Sequence, residues 1–218
     1  MGRIDATGQR LSLLRIPFGL DRLPRDITLR SVEVDAEPLR LNTAPVPADA
    51  MPLAVGDHAA RVTAAIQWLE SLCGDYAPLR RQFINRYFGF IAAQIESHRE
   101  ELIERVKPFD GLYAPEDFLW SALRPLPRGW VPVQGALLPA DMVFWDGSQA
   151  VAIELSARDT GRQKALAAAG VIVLRIEPDA FPWLGDKLPG SFQRFWEGQL
   201  LPASPFRRMI PNGGDGSR

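Results

Sequence analysis

The sequence predicts an α/β protein. A helix leads into a mixed sheet whose hairpin carries an acid at each outer end; a crossover helix and a further strand complete it, and a small β segment and a helical region precede it. Three observations carry that expectation. Two apolar runs, PADMVFW and AVAIEL, flank the turn signal DGSQ at 146–149. The stretch SARDTGRQKALAAAG has helical character and runs into the β-branched VIVLRI. A strand, a helix of that length and another strand make a crossover unit, whose two strands lie parallel.

The elements follow in chain order. Residues 1–56 form an N-terminal β and irregular segment. LSLLRIPF and ITLRSVEVD are strand-like; in the second, apolar parity switches between Leu29 and Val32, which predicts a bulge near Arg30 and Ser31. APVPADAMPLAVGD has the Pro and Ala content of a linker. Residues 57–107 form a helical region, with Asp57 as a cap and Val62, Ile66, Leu69 and Cys73 at helical spacing. A longer helix is expected from about Leu79 to Val106, with an apolar stripe of Phe83, Tyr87, Phe90, Ile91, Ile95 and Leu102. Its arginines, Arg80 and Arg81 among them, alternate with glutamates, the pattern of a solvated face laced with ion pairs or of a phosphate-binding face. His58 and His98 are expected at the surface. Residues 108–205 form the α/β domain, which YAPEDFLWSALRPLP opens as a helix with Pro115 in its first turn. Residues 206–218 form a flexible tail.

Composition narrows the function classes. Net charge is -1, so bulk electrostatics give no case for nucleic-acid binding, and only a local basic face could supply one. A single cysteine excludes a disulfide framework or a cysteine-based zinc site within one chain. No apolar run approaches the roughly 20 residues of a membrane helix, and Arg10 and Arg15 interrupt the N-terminal stretch where a signal peptide would need its apolar core. The expectation is a cytoplasmic protein without a membrane partner. A glycine-rich phosphate loop, a serine elbow and a metal-ligand histidine pair are all missing from the sequence.

The hairpin places its acids. If Trp145 pairs with Ala150, antiparallel pairing conserves the sum of partner numbers, and Asp141 falls opposite Glu154. Directly opposed side chains on one face have β-carbons roughly 4.5–5.5 Å apart, so two carboxylates there repel. Solvation at a wet strand end, an arginine between them, or a shared divalent cation could each offset the repulsion. Mg²⁺ is held by one or two carboxylates with waters and phosphate oxygens, and such a site can polarise a phosphodiester.

In their order, PEDFLWSALR, PADMVFW, AVAIEL and DTGRQKALAAAGVIVLRIEP resemble the PD-(D/E)XK nuclease superfamily over residues 113–180. Within it they are most similar to the small domains related to very-short-patch repair endonucleases. The resemblance implies a restriction-endonuclease-like core and Mg²⁺- or Mn²⁺-dependent hydrolysis of phosphodiesters, with DNA as partner. It implies Asp141 and Glu154 as metal ligands, Glu116 as the leading-helix acid, and Ser156 and Lys164 as further catalytic candidates. Gln134, Arg158 and Arg162 become candidate nucleic-acid contacts. Ser156 stands where the superfamily keeps a lysine, and Lys164 could substitute if the helix face of residues 160, 163, 164 and 167 meets the sheet.

Each candidate also has a structural reading. Glu116 complements a helix N-terminus, Ser156 or Asp159 caps a helix, Arg162 pairs with Asp159, Lys164 lies at the surface and Gln134 is an ordinary strand residue. Trp120, Trp130 and Trp145 could stack on bases or fill the core. Two functions remain open: a metal-dependent endonuclease, or a catalytically degenerate module of the same fold. The degenerate module would bind nucleic acid or protein, and the 57–107 helices would serve as its docking or homodimer surface.

Overall fold

A computed structural model describes residues 3–4, 10–19, 23–34, 37–43, 58–74, 77–109, 114–145, 150–155, 159–193 and 196. Asp57, the linker at 44–57, the hairpin turn at 146–149, Ser156, Arg158 and the tail lie outside these residues.

Strands β1 (Arg3–Ile4), β2 (Arg10–Phe18), β3 (Leu23–Val34) and β4 (Glu37–Thr43) form an antiparallel sheet in sequence order. The expected bulge is not there. β3 pairs in unbroken register from Thr28↔Thr43 to Val34↔Glu37, while its pairing with β2 ends at Arg30. The parity switch therefore marks where the strand changes partner, so that the two halves of β3 have different neighbours. Phe18 is buried against the Trp68 ring, with centroids 6.4 Å apart, and Gly19 donates to the Pro127 carbonyl at 2.9 Å.

The helical region holds α1 (His58–Ser71), α2 (Pro78–Ser97) and α3 (Arg99–Val106). The single helix expected over 79–106 is two, broken at His98. The cause is local: the Ser97 hydroxyl and His98 Nδ1 both lie 2.9 Å from the Gln94 carbonyl and compete with the helix ladder for it. His98 is half-buried, its ring 4.7 Å from that of Trp196, rather than a free surface residue. The predicted stripe is inside: Phe83, Tyr87, Ile91, Ile95 and Leu102 are buried and Phe90 half-buried. These apolar faces are buried in the chain's own core.

A 3₁₀ helix, Pro115–Ser121, stands where an α-helix was expected. Asp117 accepts the Ala114 N–H at 2.9 Å to start it. The helix ends at Ala122, which is already extended with φ -64° and ψ 153°. Then come β5 (Leu126–Pro127), β6 (Trp130–Val133), β7 (Ala136–Pro139), β8 (Met142–Trp145) and β9 (Ala150–Glu154), followed by α4 (Thr160–Ala168), β10 (Ile172–Arg175) and the short α5 (Leu184–Lys187).

The central sheet has the order β10-β9-β8-β5 and is mixed, with β9 and β10 parallel and the other neighbours antiparallel. It is buried on both faces. Met142, Phe144, Val151 and Ile153 join the larger core with α2, where the Phe144 ring lies 5.1 Å from Tyr87 and 4.8 Å from Phe192. Val143 and Ala152 join a smaller core with Leu166 of α4. Gly129 is required by this packing. A methyl there would lie 2.4 Å from Val143 Cγ2, and Val143 is fully buried. Gly129→Ala should cost about 1–3 kcal/mol by overpacking, read by chemical denaturation.

β6 and β7 form a separate two-stranded sheet. Gln134 is not on a strand. With φ 47° and Gly135 at 84° it makes the two-residue turn of that hairpin, because both central positions of such a turn need positive φ.

Candidate functional site

The hairpin register is the expected one. Met142 pairs with Ile153 and Trp145 with Ala150, so one step further along the ladder Asp141 meets Glu154. Side-chain alternation puts Glu154, the last residue of β9, on the face of Ala152, which α4 covers, and Asp141 lies at the bend just before β8. Asp141 is 6% exposed and Glu154 is 0% exposed, so neither lies at a wet strand end.

Arginines answer the charge instead. Arg80, in the first turn of α2, places Nε 2.9 Å and a terminal nitrogen 2.7 Å from Asp141 Oδ1. The other oxygen, Oδ2, accepts the buried Leu155 N–H at 2.8 Å. Glu154 Oε2 is ion-paired with Arg162 of α4. Asp141 thus ties α2 to the end of β9, and Glu154 ties α4 to the sheet. Glu154 Oε1 is buried and has no hydrogen-bond partner. Burial pushes the Glu154 carboxyl above its usual range; Arg162 opposes that shift, and the charges of Asp141 and Asp159 add to it.

The other predicted residues separate. Asp159 is the cap of α4, its carboxylate accepting the Arg162 N–H at 3.0 Å, while the Arg162 guanidinium turns to Glu154 rather than to Asp159. The inward face of α4 carries Arg162 and the buried Leu166, so Lys164 is exposed and the face of residues 160, 163, 164 and 167 does not meet the acids. Two residues at 100° per step decide this: when Arg162 points in, Lys164 points away. Glu116 belongs to a different pair, 2.8 Å from Arg99. Burial raises its carboxyl, but its own backbone N–H, the Arg99 guanidinium and the nearby His58 outweigh that and hold it below the usual range. Gln134 is exposed at its turn, Trp130 is half-buried, and Ser156 and Arg158 lie outside the described residues.

Arg80 is the site residue that sequence reasoning missed, having read it as one of many helix-surface cations. A signal was present: Arg80 and Arg81 open a helix, where the macrodipole disfavours cations. A cation placed against that field has reason to face a nearby acid.

A divalent cation needs several oxygens and an excess of negative charge. Asp141 and Glu154 do not fit one as they stand. Each carboxylate is already matched by a guanidinium, and an ion between them would face both arginines. Among the described residues no cluster of three His, Cys, Asp or Glu side chains could hold a metal. What the arrangement does chemically is neutralise two buried acids and fasten two helices to the sheet. No helix among the described residues is long and apolar enough to cross a membrane. No family model, no curated protein and no solved structure matches the chain.

Proposed function

We propose that the chain is a nucleic-acid-binding module on a restriction-endonuclease-like, PD-(D/E)XK-type core, with its acid pair in a structural role. The order of hairpin, crossover helix and parallel strand supports the core assignment. The observation that carries the structural role of the acids is the charge balance, with Arg80 on Asp141 and Arg162 on Glu154 where a hydrolytic metal would sit, while the nucleic-acid reading rests on the core assignment. Lys164, the one lysine of the segment, faces away. The guanidiniums offset the mutual repulsion of the acids without a metal.

A second reading rests on Glu154 Oε1, a buried oxygen without a donor. Such an atom has room for a proton or a cation. If Arg80 and Arg162 yield, Asp141 and Glu154 become the two ligands of a Mg²⁺-dependent endonuclease.

One experiment separates the two. The purified chain with millimolar Mg²⁺ or Mn²⁺ should retain labelled DNA and RNA oligonucleotides in a complex while leaving them intact. Cleavage that EDTA abolishes, and that disappears in a folded Glu154→Gln variant, would establish the endonuclease instead.

A further inference from the structure

A groove of about 590 Å³ lies away from the acid pair, between α2 and the 3₁₀ helix Pro178–Trp183. Arg81, Gln82, Asn85 and Arg86 line one wall, Phe181 and Pro182 the other. The lining holds two cations and no carboxylate. Arg86 is exposed and has no acidic partner among the described residues; Arg81 donates a terminal nitrogen to the Gly74 carbonyl at 3.0 Å, and its Nε is buried without an acceptor. The far wall is fixed: the Phe181 ring sits edge-on to Phe83 of α2 at 5.9 Å, itself part of the larger core. Directly after Pro182 comes Trp183, 66% exposed and the most exposed large apolar side chain described.

Cations on one side, the prolines Pro178 and Pro182 on the other and an exposed indole next along the chain are the elements of single-strand recognition. The arginines meet phosphates, and aromatic faces stack on bases that no partner strand covers. A paired duplex hides those faces. We propose that this groove binds single-stranded nucleic acid, with Arg86 and Arg81 on the backbone and Trp183 stacked on a base. This rests on the nucleic-acid reading above, and names both the surface and the form of the ligand. It places the stacking role on Trp183 and the phosphate role on α2.

The test is anisotropy of a labelled single-stranded oligonucleotide, of its duplex and of labelled AMP against the full chain, with Arg86→Glu and Trp183→Ala beside it. Both variants change exposed side chains and should keep the parent melting temperature. The expected result is preference for the single strand over the duplex. Each variant should lose roughly tenfold in affinity, with a shallower salt dependence for Arg86→Glu. Quenching of indole fluorescence on binding should diminish in Trp183→Ala. If the parent binds single strands and neither variant weakens it, the groove is not the site, although the module still binds nucleic acid. Equal affinity for duplex, or AMP bound as tightly as the strand, also overturns the proposal. If the parent binds no nucleic acid in any form, the functional reading itself fails.

Discussion

Asp141→Ala is expected to destabilise the protein by about 3–5 kcal/mol, the range for breaking a buried charge pair. Three losses combine. The Arg80 guanidinium, only 27% exposed, loses its counter-charge. The Leu155 N–H loses its acceptor in a buried place, which alone costs about 1–3 kcal/mol. The link between α2 and the end of β9 disappears. Asp141→Asn should fall between: its single amide oxygen can accept from Arg80 or from Leu155, and its NH₂ faces a donor wherever it turns. Chemical denaturation of the three proteins reads this order. The sign matters beyond the size. A pair of acids held together against their own repulsion, awaiting a metal, would be relieved by losing one member. A more stable Asp141→Ala would therefore reverse the structural assignment and return the site to metal chemistry.

Arg162→Ala should cost about 3 kcal/mol at neutral pH, the low end of that range because the arginine is 22% exposed. The distinguishing feature is pH dependence. In the parent, burial already raises the Glu154 carboxyl, and Arg162 is the group opposing that shift. Removing Arg162 raises it further. An acid whose folded value is raised binds more protons folded than unfolded. Its stability penalty is absent below the ordinary carboxylate value, grows as pH climbs from there to the folded value, and is constant above. The deficit of Arg162→Ala relative to the parent should therefore shrink as pH falls from the variant's folded value to the parent's, both above the ordinary 4.5, and stay level below that. Adding Glu154→Gln should restore much of the loss at neutral pH, because the orphaned charge is gone, and the double-mutant cycle should show strong coupling. A deficit that stays constant across pH would mean Arg162 acts through packing alone.

The sequence determined whatever depends on neighbours along the chain. Antiparallel pairing conserves the sum of partner numbers, so the turn at 146–149 was enough to put Asp141 opposite Glu154. Strand, helix and strand in succession dictated the parallel β9–β10 pair, and the helical run narrowed the α4 cap to Ser156 or Asp159, of which the structure takes Asp159. Where side chains compete with the backbone, local reading failed: Ser97 and His98 broke a helix whose apolar periodicity ran straight through. Only the tertiary structure decided which cations meet the acids. Arg80 lies 61 residues before Asp141, and no periodicity connects them. Whether Arg162 or Lys164 reaches Glu154 depends on the rotation of α4 against the sheet, which Leu166 fixes by burying itself in the smaller core. Registers follow from hydrogen-bond ladders of short reach. Charge pairing follows from how helices dock, and docking is set by apolar contacts drawn from the whole chain.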